Sequence, residues 1–357
     1  MVTHSPTGRK VLFSGNEASA EGAIRAGCRL YSGYPITPQN ELIAYMADQL
    51  PLRGGVFVQA ESELAAINMI YGASAAGVRC MTSSSSPGIS LKQEGISYLA
   101  GSELPAVIVN VVRGGPGLGD IRPAQSDYFQ TTRGGGHGDY RCLSLAPCSV
   151  QEMADLTYLA FDLADKYRNP VIVQGDGTVG QMMEPLALDD LTPPEPPPKP
   201  WALTGAQGRP RNIIASFRSA KGELEAHNIK LQKKYAEAQR SEVRYEEIAC
   251  EEADILLVAY GICARIAKEV IVRPPRGLRA RVGMLRPITL WPFPYQELAA
   301  LAGRVRAVVA VEMSAGQLVE DVRLGVEGRC PVHLVSRMGG SVPMAAEVAD
   351  RLVSLLS

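Results

Sequence analysis

The sequence predicts an α/β protein with two parallel-sheet domains. Three observations carry this reading. Short apolar runs alternate with Ala-rich helical patterns from Lys10 to Gly180, a proline-rich stretch interrupts them, and a second alternation starts at Asp254. Alternation of this kind builds doubly wound sheets with helices on the faces. At 357 residues the chain is long enough for two or three ordinary domains.

In chain order, strands are expected at Val11–Ser14, Cys28–Ser32, Gly55–Gln59, Val78–Thr82, Ala106–Val112, Arg141–Leu145 and Pro170–Gln174. Helical patterns lie between them, among them Asn40–Leu50, Leu64–Gly77 and Val150–Lys166. The loops Tyr34–Pro38, Gln59–Glu63, Ser83–Gly88 and Arg113–Gly119 each follow a strand. Ligands of open parallel sheets bind beyond the carboxyl ends of the strands, so these loops are expected to share one rim.

Glu184 to Trp201 carries Pro193, Pro194, Pro196, Pro197, Pro198 and Pro200 and reads as a linker skirting a domain. Arg218 to Glu247 is charged, with sparse apolar residues (Leu224, Ile229, Leu231, Tyr235), and is expected to be an exposed or partner-facing helix. The second alternation places strands at Ile255–Ala259, Arg281–Leu285, Val305–Val311 and Val332–Val335. The expected division is residues 1–185, a connecting segment over 186–250, and residues 251–357.

Composition narrows the function classes. A net charge of −1 gives no electrostatic case for nucleic-acid binding. The longest apolar runs, such as Leu104–Val109, fall far short of the roughly 20 residues of a membrane span. Met1–Arg9 is polar and lacks the apolar core of a signal peptide. The seven cysteines are scattered, and the nearest two, Cys142 and Cys148, form no C-x-x-C pair. Iron–sulfur and zinc sites need clustered thiolates, and an odd count argues against a disulfide framework. Reduced thiols in a cytoplasmic protein are expected.

Three places could carry chemistry. In Gly33-Tyr34-Pro35-Ile36-Thr37-Pro38 the two prolines fix their own φ and push the preceding residues towards extended geometry, which holds Thr37 in place. The alternative is a proline turn with Thr37 capping the next helix. Glu61 and Glu63 open a helix in an Ala-rich setting; the alternative is that both acids only favour the helix N-terminus electrostatically. Arg113 ends an apolar strand and opens the loop Gly114–Gly119. Its guanidinium fork matches a carboxylate with two parallel bonds, the alternative being a surface ion pair. Ser83-Ser84-Ser85-Ser86, before Pro87, reads as a capped polar loop near the same rim. Gln125-Ser126-Asp127 and His137-Gly138-Asp139 are candidates to line the site or a subunit contact.

On the Gly33–Pro38 loop, the Glu63 region and Val112-Arg113-Gly114-Gly115, the chain resembles the alpha subunit of the 2-oxoacid:ferredoxin oxidoreductases. These are thiamine-diphosphate enzymes, and the branched-chain, 3-methyl-2-oxobutanoate type is the nearest match. The resemblance runs from about Lys10 to Leu355. It implies a pyrimidine-binding domain over 1–185 and a transketolase-C-terminal-like domain over 251–357. It implies Glu63 as the catalytic carboxylate against the aminopyrimidine ring, with Glu61 as its rival. It further implies Thr37 and Arg113 on the substrate carboxylate, Tyr34, Pro35 and Ile36 beside them, and Pro35 and Ser86 against the cofactor.

Gly175-Asp176-Gly177 is similar to the start of the motif that holds Mg²⁺ and diphosphate in thiamine enzymes. The Asn-Asn pair that completes it is missing, and the sequence reads as a Gly turn after a strand. The resemblance therefore implies that a beta subunit supplies Mg²⁺ and the diphosphate site. It also implies gamma and ferredoxin-like delta subunits, [4Fe–4S] clusters on the partners, and coenzyme A and a 2-oxoacid as substrates. The reaction so implied is oxidative decarboxylation to acyl-CoA and CO₂ with electrons passed to ferredoxin. The alternatives are the same chemistry on 2-oxoglutarate, phenylglyoxylate or pyruvate, with Arg122 or Arg133 meeting a second carboxylate, and a noncatalytic scaffold. A nucleotide-binding protein is the weakest, because Ser14-Gly15-Asn16-Glu17 replaces G-x-G-x-x-G after the first strand.

Overall fold

The computed structural model describes residues 10–189, 191–192, 194–274, 278 and 280–355. Met1–Arg9 and Pro193 lie outside the described residues. The first half runs β1 (Lys10–Ser14), α1 (Gly15–Arg25), β2 (Leu30–Gly33), α2 (Asn40–Leu52), β3 (Val56–Gln59), α3 (Glu63–Ala75), β4 (Cys80–Ser84) and α4 (Ser86–Gly101). It continues through β5 (Ala106–Gly114), β6 (Asp120–Pro123), α5 (Tyr128–Thr132), β7 (Leu143–Leu145), α6 (Val150–Tyr167), β8 (Pro170–Asp176), α7 (Gly177–Gln181) and β9 (Met183–Ala187). The second half runs α8 (Glu223–Ser241), β10 (Tyr245–Ile248), β11 (Ile255–Ala259), α9 (Gly261–Val272), β12 (Val282–Pro287) and β13 (Thr289–Trp291). It ends with α10 (Tyr295–Ala302), β14 (Ala307–Glu312), α11 (Leu318–Val326), β15 (Val332–Ser336) and α12 (Ala345–Ser354).

The larger sheet follows the order β13-β7-β8-β5-β4-β2-β3, with β6 pairing to β5. From β7 to β3 every neighbouring pair is parallel. The central strands β4, β5 and β8 are buried throughout, as parallel strands covered on both faces must be. The chain leaves β2 for β3 on one side and returns to β4 on the other. That reversal opens a crevice at the carboxyl ends of β2 and β4, the position where doubly wound sheets take ligands. The smaller sheet has the order β10-β12-β11-β14-β15 and is parallel except for β10.

Three expectations are corrected. β1 does not join the larger sheet; it forms a two-stranded antiparallel ribbon with β9, leaving Val11 and Leu12 exposed. The charged segment is not simply an exposed helix: α8 buries Leu231, Tyr235 and Ala238 in the larger core, and the same segment contains β10. The serine run is not a capped loop. Ser83 and Ser84 end β4, and Ser85 at the start of α4 makes no side-chain cap. The two halves are also stitched together, because β13, from the second half, pairs with β7 at the edge of the larger sheet.

A second tie is Asp176. One carboxylate oxygen accepts from Thr178 N and Val179 N at 3.1 and 3.0 Å, which caps α7. The other accepts from Ile262 N, at the start of α9, at 2.8 Å. The Gly-Asp-Gly stretch thus becomes a helix cap joined to the second half. Burial pushes the Asp176 carboxyl up, against the hydrogen bonds that lower it. A third tie is Arg286, which donates to both oxygens of Glu152 at 2.8 and 2.7 Å and to Glu246 at 2.7 Å.

Candidate thiamine-side site at the strand ends

The loop after β2 is held from below. Gln39 Nε2 donates to the Tyr34 carbonyl at 3.3 Å, and Gln39 Oε1 accepts from Ser83 Oγ at 2.6 Å. Ser83 in turn bonds the Tyr31 hydroxyl at 2.6 Å. Asn16 Nδ2 donates to the Pro38 carbonyl at 2.8 Å. These buried bonds fix the two ends of the loop, while Tyr34 and Pro35 stand exposed on its outer side and Ile36 and Thr37 are half-buried. Thr37 does not cap α2, whose cap residue is Gln39; its hydroxyl accepts from Asn40 Nδ2 at 3.2 Å.

Arg113 meets this loop from the end of β5. It is buried, and Nη1 donates to the Thr37 carbonyl at 2.9 Å while Nη2 donates to the Leu118 carbonyl at 3.1 Å. Its Nε has no partner, and among the described residues Arg113 forms no ion pair. The surface ion pair is therefore excluded: the guanidinium is inside, bonded to neutral carbonyls, with its charge uncompensated. Such a cation is costly unless an anion completes it.

Ser86 connects Arg113 to the helix that follows β4. Its hydroxyl accepts from Arg113 N at 3.1 Å and lies 3.2 Å from the Arg113 carbonyl, to which it can donate. Two residues later Gly88 lies against Glu63. A β-carbon there would sit 2.5 Å from Glu63 Oε1 and 2.0 Å from Ser84 Oγ. Glu63, Ser84, Ser86 and Arg113 therefore gather around the first turn of α4. Glu63 is 6 % exposed in the first turn of α3, whose cap Ser62 accepts from Ala65 N at 3.2 Å. Glu61 is exposed, so burial separates the two acids.

The residues around this turn are short of partners. Ser84 Oγ, Ser85 Oγ, Asn110 Oδ1 and Arg113 Nε are buried without hydrogen bonds, and the Glu63 carboxylate forms none among the described residues. Native interiors leave few such groups, and a cluster of them calls for a ligand or partner. A buried carboxylate acceptor beside glycine and serine suits a ring nitrogen that carries a proton. The donor set fits the aminopyrimidine side of thiamine diphosphate.

Two residues here escaped the sequence reading. Asn110 Nδ2 donates to Asp127 at 2.9 Å, and burial pushes the Asp127 carboxyl up. Lys92 on α4 is fully buried. The signal for Lys92 was its place on the apolar stripe Ile89, Ile96 and Leu99. His137 is exposed, its ring edge-on to Tyr98 at 6.0 Å.

Residues 21–247 match the family described as pyruvate flavodoxin/ferredoxin oxidoreductase, thiamine diphosphate-binding. Residues 253–348 match pyruvate:ferredoxin oxidoreductase core domain II. The fold and site thus define a thiamine-enzyme pyrimidine-binding domain followed by a transketolase-C-terminal-like domain. A split-gene transketolase in an inactive β4 tetramer shares the fold with a TM-score of 0.60 at 15 % identity, over 96 % of this chain and 98 % of that one.

The chain belongs to the 2-oxoacid:ferredoxin oxidoreductase family, oxidoreductases of EC 1.2.7 type. It is 53 % identical to the ketoisovalerate oxidoreductase subunit VorB of Methanothermobacter marburgensis, over 93 % of this chain and 94 % of that one. It is 41 % identical to the 2-oxoglutarate synthase subunit KorA of Archaeoglobus fulgidus, over 87 % and 90 %. The 2-oxoglutarate:ferredoxin oxidoreductase of Magnetococcus marinus, solved with 2-oxoglutarate, coenzyme A and succinyl-CoA bound, superposes with a TM-score of 0.85 at 27 % identity. That match covers 99 % of this chain, which spans 66 % of the solved one.

Proposed function

We propose that this chain is the alpha subunit of a complex that oxidatively decarboxylates a branched-chain 2-oxoacid, 3-methyl-2-oxobutanoate. Coenzyme A is acylated, CO₂ leaves, and the electrons pass to ferredoxin. Thiamine diphosphate, when bound, supplies the carbanion that attacks the ketone. Glu63 takes the hydrogen bond of the protonated pyrimidine nitrogen and so activates the cofactor. Arg113 grips the substrate carboxylate, with Thr37, Tyr34, Pro35 and Ile36 forming the wall beside it. Ser86 holds the Arg113 backbone in place at the cofactor's edge, and Pro35 closes the loop over it. Diphosphate and Mg²⁺ are held by a beta subunit, the [4Fe–4S] clusters lie on the partner subunits, and gamma and ferredoxin-like delta subunits complete the complex.

The observation that carries this reading is Arg113: a buried guanidinium with an unpaired Nε, joined through Ser86 to the helix turn that abuts Glu63. The VorB relatives support the branched-chain substrate. So does the fate of the other two arginines weighed for a dicarboxylic acid. Arg122 is exposed and paired to Asp120 at 3.2 Å, and Arg133 is paired to Asp321 at 2.9 Å.

The test is the complex coexpressed with its partner subunits and assayed on a panel of 2-oxoacids with a viologen acceptor. The highest kcat/KM is expected for 3-methyl-2-oxobutanoate. Glu63→Gln loses roughly 10²–10⁴-fold in kcat while the complex still assembles. Arg113→Ala loses roughly a hundredfold in kcat/KM, the worth of one charge-assisted hydrogen bond or two. Normal turnover in both variants refutes the assignment, and a preference for 2-oxoglutarate refutes the substrate.

A further inference from the structure

Lys92 is a buried cation on an apolar helix face. It shares α4 with Ile89, Ile96 and Leu99, and none of its surface reaches solvent. Sheltering an ammonium is costly unless charge and hydrogen bonds compensate. Its Nζ donates to one atom, Thr82 Oγ1 at 2.9 Å, which is uncharged. An ammonium has three donors, so two are left over. Among the described residues Lys92 makes no ion pair within 4.0 Å, and the carboxylate whose charge reaches it is Glu63. The geometry agrees: Lys92 lies one helical turn beyond Gly88 on the same face of α4, and Gly88 abuts Glu63 Oε1.

Apolar packing alone would be served better by leucine or methionine at this position. We propose that Lys92 is a positioning residue whose ammonium is the counter-charge of Glu63, holding that carboxylate towards the aminopyrimidine side of the site. A positive charge behind the carboxylate favours the arrangement in which the proton sits on the ring nitrogen and the negative charge on Glu63. The inference rests on the assignment of Glu63 made above. Burial pushes the Lys92 ammonium down to about 7, and Glu63 pulls it back up, so at pH 6 the charge is in place.

The experiment uses the assembled complex loaded with thiamine diphosphate and no substrate. Hydrogen–deuterium exchange at the thiazolium C2 is followed by acid quench and proton NMR at pH 6, together with cofactor affinity and the melting midpoint. Lys92→Met removes the charge and keeps the length. It is expected to slow exchange roughly tenfold or more, the effect of one opposite charge on a titrating partner, without lowering the melting midpoint. Thr82→Val leaves the charge and is expected to keep exchange within a few-fold. Lys92→Gln is the second neutral variant should the methionine variant not assemble. The proposal is overturned if a neutral variant exchanges within twofold of wild type while Glu63→Gln is slow. It is equally overturned if Thr82→Val matches the loss of Lys92→Met, since that result marks a structural anchor. Should Glu63→Gln itself exchange normally, the Glu63 assignment fails first and this inference falls with it.

Discussion

Gly88→Ala separates the site from the fold. The added β-carbon would lie 2.5 Å from Glu63 Oε1, 3.0 Å from Glu63 Cδ and 2.0 Å from Ser84 Oγ, where ordinary contact begins at 3.4 Å. All three are side-chain atoms, so the backbone need not move. Ser84 Oγ can turn to another rotamer, but the carboxylate has to retreat by about 1 Å, and a misplacement of that size at a reacting group costs roughly a hundredfold in rate. Overpacking costs about 1–3 kcal/mol, and alanine returns about 0.5–1 kcal/mol as a better helix residue than glycine. Gly95, on the same helix, is the control. A β-carbon there strikes Ile67 Cγ1 and Cγ2 at 2.6 Å in the α3–α4 contact, away from the carboxylate. In the viologen assay on the complex, Gly88→Ala should lose about a hundredfold in kcat with a melting midpoint close to wild type. Gly95→Ala should do the reverse. Full activity in Gly88→Ala, or equal activity loss in both variants, refutes the placement of the reacting carboxylate beside Gly88.

The remaining predictions concern the same residues and the junction between the halves. Glu63→Gln and Arg113→Ala should split kinetically, the first acting on kcat with every 2-oxoacid and the second on kcat/KM. Lys92→Met should slow C2 exchange without loss of stability. Arg286→Ala should destabilise the chain by about 1–3 kcal/mol in urea melts, because it strands the half-buried carboxylate of Glu152. Burial pushes the Glu152 carboxyl up, but Arg286's hydrogen bonds and charge outweigh it and hold it below the ordinary carboxylate range. A depressed carboxylate contributes stability above its unfolded value and loses it as pH falls through its folded one. Wild type should therefore lose stability on acidification below about pH 4.5 more steeply than Arg286→Ala, and parallel pH profiles would exclude the linkage.

Most of the larger sheet was legible because its strands are continuous apolar runs between helices, the signature of parallel strands buried on both faces. β2, β3, β4, β5, β7 and β8 each fall within two residues of the expected starts and ends, and β11 agrees at both ends. Two elements that went unseen, β13 and β9, are short and paired to distant chain. β13 has three residues bounded by prolines and meets β7 from the other half of the molecule. β9 lies at the edge of the proline-rich stretch and takes β1 out of the main sheet. No local periodicity encodes a partner that far along the chain. α8 misled for a different reason: its buried face is narrow, with Leu231, Tyr235 and Ala238 facing inward and Leu224 and Ile229 left outside.

The site divides along the same line. Thr37 and Arg113 were visible because each stands beside prolines or glycines at the end of an apolar run, and those residues mark strand ends whatever the tertiary context. Their mutual contact was not visible, since it joins residues 76 positions apart. Glu63 could be separated from Glu61 only by burial, which depends on where Gly88 places the first turn of α4. Lys92 was hidden most deeply of all. In sequence it is one lysine among Ile89, Leu91 and Ile96, a position that usually snorkels to solvent. Its four-carbon stem has no route out here: the residue is fully buried and its ammonium ends on Thr82 of β4. A charge retained in that position, where methionine would pack as well, is hard to explain by stability and is explained by what it does to the carboxylate beside it.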